Sequence, residues 1–362
     1  MSTFEFFTST APLPGRSAKD AQRAESDGWT GLTFTDSQSL GGDPYVAMMA
    51  AAHATTTLRV ATGVTNPLTR HAAVTATAAT SVDIESGGRV DLGIGRGDSS
   101  LAHIGLVPAP VEWFITYLQM LRRYLRGESV SIEVARGAAT NVLGETLPLH
   151  DAPSDSRLRW IGANYKDHTP VPVFVVASGP RVIKIGAELA DRVLLAVGAQ
   201  PERVRWGVEL ARSVNPTASI GMYVNVVVDE DISRGVALAA GGVTSFARFS
   251  VMHGRVNGPV SEADRSTLEA LPGEYQMSRH FQSVNKAVQR GEDLAESFAI
   301  VGELCPPRAQ RQLRIPRILQ PLPQFVEVGH RDFERTGRTS CVKARAAAFE
   351  ASRSASRVGP TM

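Results

Sequence analysis

Residues 58–105 constrain the fold more than any other stretch of this chain. Two short apolar runs, at residues 58–62 and 90–94, each lead directly into a polar loop that contains glycine. A segment of small residues with helical spacing lies between them. Because two parallel strands require a helical crossover, this stretch is predicted to be a βαβ unit. Both loops then leave the same edge of the sheet, where an α/β protein builds its active site.

The alternation of apolar runs and helical segments recurs on both sides of this unit. Further strands are predicted at residues 4–8, 31–35, 173–177, 192–197, 220–228 and 324–328. Strands that alternate with helices at this density predict an α/β protein with a parallel sheet, and a series this long predicts a closed (β/α)8 barrel, the TIM barrel. The 362 residues suit a single domain of that kind, residues 1–362.

Three regions interrupt this rhythm. Residues 127–172 are rich in Gly, Pro, Asp and Ser, and are predicted to be an insertion or lid at the carboxyl-terminal rim of the barrel. Residues 241–264 mix glycines with two phenylalanines and a methionine, and are predicted to be a loop near a substrate. Residues 303–362 accumulate Arg and Pro and form an atypical carboxyl-terminal segment, in which only residues 324–328 predict a strand.

Composition argues against several classes of function. A formal net charge of +2 disfavours nucleic acid or an anionic membrane as the main partner, so a small-molecule substrate is expected. Cys305 and Cys341 form no CxxC motif, which favours a reducing, cytoplasmic setting. The chain shows neither a signal peptide pattern nor an apolar run of about eighteen residues that would predict a transmembrane helix. Its eight histidines have no metal-ligand spacing, so no metal site is predicted.

Five loops are predicted to meet at one rim of the barrel, because each follows the carboxyl end of a strand. These loops contain Asp36 and Ser37, residues 63–66, residues 95–98, residues 178–180 and residues 198–200. Asp36 and Asp98 are candidate proton donors or bases if the barrel mouth excludes water. Helix caps or solvated loop carboxylates are the alternative roles for both.

Backbone features of the same loops predict ligand contacts. Pro180 and Pro201 each start a predicted helix, whose N–H groups bind phosphate or carboxylate or simply initiate the helix. Residues 93–98 (Gly-Ile-Gly-Arg-Gly-Asp) resemble a dinucleotide fingerprint, but the last residue is Asp and the unit is not the first, which argues against a Rossmann fold. Gly95 and Gly97 are instead expected to let the backbone lie flat beneath a large planar ligand.

Several motifs of this region occur together in one known family. They are Gly-Val-Thr-Asn-Pro at 63–67, Thr-Arg-His at 69–71, Gly-Gly-Arg at 87–89 and Gly-Ile-Gly-x-Gly-Asp at 93–98. In this combination the chain closely resembles the bacterial luciferase-like superfamily, and within it the methylenetetrahydromethanopterin reductase branch, which uses coenzyme F420. Residues 34–37 and 173–199 match at the expected places, and the resemblance extends over residues 1–230.

The resemblance implies a (β/α)8 barrel that binds a deazaflavin at its carboxyl-terminal rim. Asp36 would lie beside the ring edge, a non-proline cis peptide bond between Gly63 and Val64 would support the ring, and Asp98 would be the active-site acid. The other implied contacts are to the ring system at Thr65 and Asn66, and to the phosphate-bearing tail at Ser178, Gly179, Pro180, Gly198 and Ala199. Ser37 departs from the pattern, since many F420-dependent relatives have a histidine there. A homodimer is a further family expectation.

Three hypotheses of function follow from the resemblance. The first is hydride transfer between coenzyme F420 (8-hydroxy-5-deazaflavin) and a small organic substrate, by carbonyl/alcohol, C=C or C=N chemistry, with Asp98 moving the proton and Asp36 assisting. The second is a monooxygenase of the same fold that uses FMN and oxygen. The third is a non-catalytic relative that only binds a cofactor.

Overall fold

A computed structural model describes residues 5–137, 153–252, 254–280, 285–302 and 325–329. Its strands are β1 Glu5–Thr10, β2 Gly31–Phe34, β3 Arg59–Thr62, β4 Val90–Ile94, β5 Val130–Ser131, β6 Asp155–Ser156, β7 Val173–Ala177, β8 Arg192–Leu195, β9 Ile220–Val228, β10 Ala299–Gly302 and β11 Phe325–Gly329. Its α-helices are α1 Ser17–Ser26, α2 Pro44–Ala54, α3 Ala72–Ser86, α4 Ser99–Ala102, α5 Val111–Leu125, α6 Ile132–Gly137, α7 Arg159–Asn164, α8 Pro180–Leu189, α9 Pro201–Arg212, α10 Ile232–Ala247, α11 Glu262–Glu274, α12 Val288–Asp293 and α13 Ala295–Phe298. Short 3-10 helices span Arg248–Ser250 and Met277–Arg279.

The main sheet is parallel and curls back on itself. Its strands pair in the cycle β1, β2, β3, β4, β7, β8, β9, β11 and β1 again. β10 extends the sheet by pairing with the last residues of β9. The prediction of an α/β protein with a TIM-barrel-like parallel sheet is therefore confirmed, and so is the strand predicted at 324–328, which lies one residue further along the chain.

Local sequence explains how the crossover helices start and stop. Asp43 caps α2 by accepting hydrogen bonds from the backbone N–H groups of Tyr45 (2.8 Å) and Val46 (3.2 Å), and Pro44 occupies the first turn. α3 ends at Gly87, whose φ of 69° is the left-handed conformation that glycine adopts without a steric penalty. α2 thus starts on the rim side of the sheet, after the loop that follows β2, and α3 ends on the opposite side, where the chain enters β4.

Aromatic side chains fill the inside of the sheet. Phe7 and Phe174 are buried there with Ala61 and Leu194. A Cβ atom on Gly93 would lie 2.3 Å from the Phe174 ring, so this strand position requires glycine. The inside of the curled sheet is therefore packed at this level, and open space is left only nearer the carboxyl ends of the strands.

Two larger cores lie outside this cluster. One packs the crossover helices of the first nine strands against the outer face of the sheet. The other is formed by α10, α11, α12 and α13, with Val243, Leu268 and Leu294 fully buried. Within the described residues, no helix is long and apolar enough to cross a membrane.

The predicted loop at 241–264 is wrong in its first part. α10 continues to Ala247, because Ala239, Val243 and Ala247 recur at helical spacing and pack into the second core. In the sequence, the glycines at 241 and 242 indicated a loop instead of this helical spacing. β10 and the helices of the second core were not predicted at all.

The two other irregular regions are only partly described. Residues 127–172 contain the short elements β5, α6, β6 and α7, and residues 138–152 lie outside the described residues. In the segment 303–362, β11 is the described part, and the rest of that prediction lies outside the described residues.

Candidate functional site

A cavity of about 1290 Å³ opens at the carboxyl ends of the parallel strands. Its wall begins with the residues that follow β1, β2, β3, β4 and β7, and continues along β9 and α10. Eight residues predicted from the sequence line it: Asp36, Gly63, Val64, Gly95, Gly97, Asp98, Ser178 and Gly179. None of the described residues of the 127–172 segment is on this wall, so the described part of that segment does not cover the cavity.

Thr65 and Asn66 lie behind the wall rather than on it. Thr65 is fully buried and donates its hydroxyl to Asp36 at 2.7 Å. The Asn66 side chain is also buried, and its Oδ1 accepts the backbone N–H groups of Leu68 (3.0 Å) and Thr69 (3.1 Å). Both residues therefore support the site, and direct contact with a ring, as the resemblance implies, would require their local hydrogen bonds to rearrange.

Gly198 and Ala199 are also away from the cavity. The backbone N–H of Ala199 donates to the carbonyl oxygen of Ser297 at 2.9 Å, and so does that of Gln200 at 3.1 Å. A Cβ atom on Gly198, whose φ is 91°, would lie 2.8 Å from the same oxygen. The predicted contact of this loop with an anionic tail does not fit this arrangement, because α13 already takes its donors.

Asp36 follows β2 and is the most deeply buried carboxylate on the cavity wall, with a side chain 1% exposed. Its Oδ2 accepts from the Arg70 guanidinium at 2.5 Å and from the Thr65 hydroxyl at 2.7 Å. Its Oδ1 is buried without a hydrogen-bond partner among the described residues. Leaving a buried carboxylate oxygen without a donor is costly, which makes Oδ1 a position for a ligand donor.

Arg70 holds this part of the rim together. It spans Asp36 and Asp43, and the second ion pair measures 2.7 Å. Although burial disfavours its charge, the two carboxylates raise the pKa of Arg70. The guanidinium also lies over the Tyr45 ring, 5.2 Å from the centroid. The Oδ2 of Asp36 is thus held in place by a charged hydrogen bond from Arg70.

The loops after β3 and β4 form one continuous surface. The peptide bond between Gly63 and Val64 is cis, as predicted. The backbone N–H of Thr65 donates to Gly93 at 2.9 Å, and that of Gly95 donates back to Thr65 at 3.0 Å. A Cβ atom on Gly95 would come within 3.2 Å of the Val64 side chain, so a larger residue would disturb this surface.

Asp98 forms a bidentate ion pair with Arg248, with Oδ1 3.0 Å from one guanidinium nitrogen and Oδ2 in contact with the other. Arg248 is 9% exposed, and its guanidinium lies over the rings of Tyr275 (4.8 Å) and Phe249 (5.4 Å). A proton on Asp98 would remove the charge that holds this pair. The structure thus places the carboxylate of Asp98, the predicted proton donor, where it suits an anionic anchor for Arg248.

Two arginines, Arg96 and Arg181, lie near the start of α8. Gly179 is the N-cap and offers no side-chain cap, so the first-turn N–H groups point to the rim. Ser178 donates its hydroxyl to the Phe249 carbonyl at 3.3 Å, and Pro180 is the first residue of the helix. Burial, with the nearby charge of Arg181, lowers the pKa of Arg96, a wall residue. This corner therefore suits an anionic group.

The far wall of the cavity is aromatic. The ring of Tyr223, on β9, stacks on that of Phe246 with centroids 4.6 Å apart, and Phe246 meets the edge of Phe249 at 5.4 Å. Next to this group His280, 8% exposed, lines the cavity. Its Nδ1 lies 2.5 Å from the Tyr275 hydroxyl.

Sequence reasoning did not single out four residues that the structure places at or next to the site: Arg70, Arg248, Tyr275 and His280. Arg70 stands in the matching Thr-Arg-His motif, which was a usable signal. The other three come from segments without a recognisable pattern, and only the fold brings them to the rim. Among the described residues, no group of three His, Cys, Asp or Glu side chains could hold a metal ion.

The curled sheet and its rim cavity define an α/β protein with a binding site for a large ligand at the strand ends. The luciferase-like monooxygenase family matches residues 7–304, so the chain belongs to this family of oxidoreductases, which confirms the resemblance predicted from its motifs.

Two curated relatives are 5,10-methylenetetrahydromethanopterin reductases. That of Methanolobus tindarius is 24% identical over 227 residues (60% of this chain, 63% of the relative), and that of Archaeoglobus fulgidus is 26% identical over 215 residues (58% and 59%). The chain thus spans 59 to 63% of the length of these relatives.

Solved structures extend the similarity of fold to nearly the whole chain. The coenzyme F420-dependent tetrahydromethanopterin reductase of Methanopyrus kandleri has a TM-score of 0.65 at 18% identity, covering 96% of this chain and 98% of that one. An F420-dependent secondary alcohol dehydrogenase, in complex with an F420–acetone adduct, has a TM-score of 0.60 at 15% identity, with 95% and 99% covered. Monooxygenase RslO1 of Streptomyces bottropensis has a TM-score of 0.56 at 19% identity, with 96% and 99% covered.

Proposed function

We propose that this protein transfers a hydride between coenzyme F420 and a small organic substrate in the rim cavity. The observation that carries the proposal is the buried Oδ1 of Asp36, an acceptor without a donor, beside a flat backbone surface. Two of the solved structures with this fold are of F420-dependent enzymes, which supports F420 as the cofactor.

Asp36 would hold the edge of the deazaflavin ring. A bound ring with an N–H or O–H group at its edge would give Oδ1 the hydrogen bond it lacks. Arg70 and Thr65 fix the other oxygen, so the carboxylate is oriented before any ligand arrives. Asp36 is thereby a cofactor-binding acceptor in this proposal and not an acid.

The surface formed by residues 63–64 and 95–97 would lie against the face of the ring. Gly95 adds no side chain to this surface, and a Cβ atom there would contact the Val64 side chain. Gly97, with a φ of 89°, turns the chain towards Asp98. The ring would therefore rest on backbone and on the Val64 side chain.

The anionic tail of the cofactor would lie at the start of α8. Ser178 supplies a hydroxyl there, Gly179 leaves space around its backbone, and Arg96 contributes positive charge to the wall. Pro180 fixes the first turn without using an N–H group. Gly198 and Ala199 take no part in this proposal, since their segment packs on α13.

When bound, reduced F420 would supply a hydride at C5. The residues of the chain would exclude water, position the substrate against the aromatic wall and provide a proton. Asp98 would keep Arg248 in place between Phe249 and Tyr275. Because both carboxylates are paired with arginine, the proton has to come from another group.

The test is an anaerobic assay of the purified protein with reduced F420. Oxidation of F420 is followed by absorbance in the presence of a carbonyl, a C=C and a C=N substrate panel. We expect oxidation with at least one class and none without substrate. Binding of F420 without oxidation in any class would contradict hydride transfer and support the non-catalytic alternative.

An FMN-dependent monooxygenase is the second candidate, because the matching family is described as luciferase-like monooxygenases and monooxygenase RslO1 shares the fold. The same preparation is mixed with reduced FMN and the substrate panel in air, and substrate-dependent oxygen consumption is recorded. Oxygenated product formed with FMN, and no reaction with F420, would replace the first proposal by the second.

A further inference from the structure

We infer that Asn225 recognises the substrate by donating a hydrogen bond from its side-chain amide to a carbonyl oxygen or an imine nitrogen. The inference rests on the proposed hydride transfer and deepens it, because it selects C=O and C=N substrates over plain C=C bonds. Asn225 lies on β9, outside the loops that carry the recognised motifs.

The Asn225 side chain faces the inside of the curled sheet. Gly221 pairs with Leu194 of the inner cluster, and residues two apart along a strand share a face, so Asn225 lies on the same inner face. It lines the cavity and is 7% exposed. Around the cycle of strands β9 is opposite β3. Asn225 is therefore across the cavity from Gly63 and Val64, against which the ring would lie, and the substrate would fit between.

The amide of Asn225 has no partner among the described residues, none of which forms a hydrogen bond with it. Asn285, which is 5% exposed, offers the contrast. Its Nδ2 donates to the carbonyl oxygens of Gln276 (2.9 Å) and Arg279 (3.2 Å), and its Oδ1 accepts two backbone N–H groups at 3.2 Å. Because a buried amide without partners costs free energy, its position on the cavity wall points to a ligand that pairs with it.

The contact with α10 sets which amide atom is offered to this ligand. A Cβ atom on Gly242 would lie 2.6 Å from the Oδ1 atom of Asn225 and 3.9 Å from its Nδ2 atom. The Cα–H group of Gly242 thus meets Oδ1, and a C–H group suits an oxygen better than an NH2 group. Nδ2 is on the other side of the amide, so the group left for the cavity is a hydrogen-bond donor.

The surroundings of this donor define the class of substrate. Tyr223 lies two residues before Asn225 on the same strand face and stacks on Phe246, which meets the edge of Phe249. A substrate with a C=O or C=N group and an apolar body would place the acceptor atom at Nδ2 and the body on these rings. A C=C bond has no lone pair to offer, so its binding would leave the amide unpaired.

The affinity test uses two pairs of compounds in which a CH2 group replaces the carbonyl oxygen. They are acetophenone with α-methylstyrene, and cyclohexanone with methylenecyclohexane. Calorimetric titration, with and without bound F420, compares the wild type with Asn225→Leu and with Asn164→Leu, a control at an exposed position of α7 away from the cavity wall. F420 affinity is measured separately by fluorescence.

We expect the ratio of ketone affinity to methylidene affinity to fall by about tenfold or more in Asn225→Leu, since one buried hydrogen bond to the ligand is lost. F420 should bind this variant as it binds the wild type. Asn164→Leu should keep the wild-type ratio.

Urea unfolding without ligand tests whether the amide serves the fold instead. Asn225→Leu should unfold at the same urea concentration as the wild type or a higher one, because an apolar group replaces an unpaired amide. Asn285→Leu removes a paired amide of similar burial and should unfold at a lower concentration. If leucine is too large beside Gly242 and the variant does not fold, Asn225→Ala takes its place in the affinity test.

An affinity ratio that the Asn225 variant leaves unchanged would overturn the inference and leave the proposed function standing, as would a wild type that binds neither ketone. A loss of stability in Asn225→Leu as large as that in Asn285→Leu would show that the amide serves the fold. A wild type that binds the ketones but not F420 refutes the proposed function and not the recognition by Asn225.

Discussion

Replacing Arg70 by methionine should destabilise the protein strongly, because it leaves a buried carboxylate without its countercharge. Asp36 is 1% exposed and Arg70 is 17% exposed, and the two charged groups are 2.5 Å apart. After the substitution Asp36 retains a single donor among the described residues, the Thr65 hydroxyl at 2.7 Å. Removing one partner of a buried ion pair costs about 3–5 kcal/mol, so the free energy of unfolding should fall by about that amount.

The matched control is Arg181→Met, which breaks the ion pair of Arg181 with Glu112 at the surface, where the side chains are 64% and 70% exposed. Exposed pairs contribute about 0–1 kcal/mol. Urea unfolding at neutral pH gives both values. The double variant Asp36→Asn with Arg70→Met should recover part of the loss, because the uncompensated charge is gone. Equal losses for the two arginine variants would refute the claim that Asp36 and Arg70 form a buried ion pair.

Two further predictions concern backbone geometry and pH. Gly97→Ala should lower the free energy of unfolding by about 1–3 kcal/mol, because φ at this position is 89° and a Cβ atom would lie 2.3 Å from the Leu101 side chain. The control Gly162→Ala, in an open helical position, should be neutral or stabilising. Thermal or urea unfolding measures both variants. Burial would raise the pKa of Glu25, but hydrogen bonds from residues 56–58 lower it from 4.5 to about 2. Its stabilisation is therefore complete above pH 4.5 and is lost as the pH falls towards 2. Glu25→Gln should thus be less stable than the wild type at neutral pH, with a gap that closes in acid; a gap independent of pH in urea unfolding would contradict this.

Local patterns in the sequence were enough to predict the strand ends of the rim. The residues of the glycine-containing loops after β3 and β4 determine the conformation of these loops. Both loops form part of the cavity surface, as predicted. The start of α8 was predicted in the same way, from Gly179 and Pro180. These features depend on contacts between near neighbours along the chain or between adjacent strands.

The electrostatics of the site could not be predicted in that way. Asp98 and Arg248 are 150 positions apart, and nothing local to Asp98 indicates that it is paired. His280 and Tyr275 belong to a region built around the second core, whose helices lack a recognisable motif. The roles of ionisable groups depend on such distant partners, so Asp98 was predicted as an acid and is found as half of an ion pair. The homodimer stays a prediction.

The most direct test of the account is equilibrium titration of the protein with F420 and with FMN, each followed by fluorescence, for the wild type and Asp36→Asn. We predict that F420 binds more tightly than FMN by about tenfold or more, equivalent to about 1.4 kcal/mol, and that Asp36→Asn weakens F420 binding without unfolding the protein. Tighter binding of FMN than of F420, or F420 binding that ignores Asp36→Asn, would contradict the account.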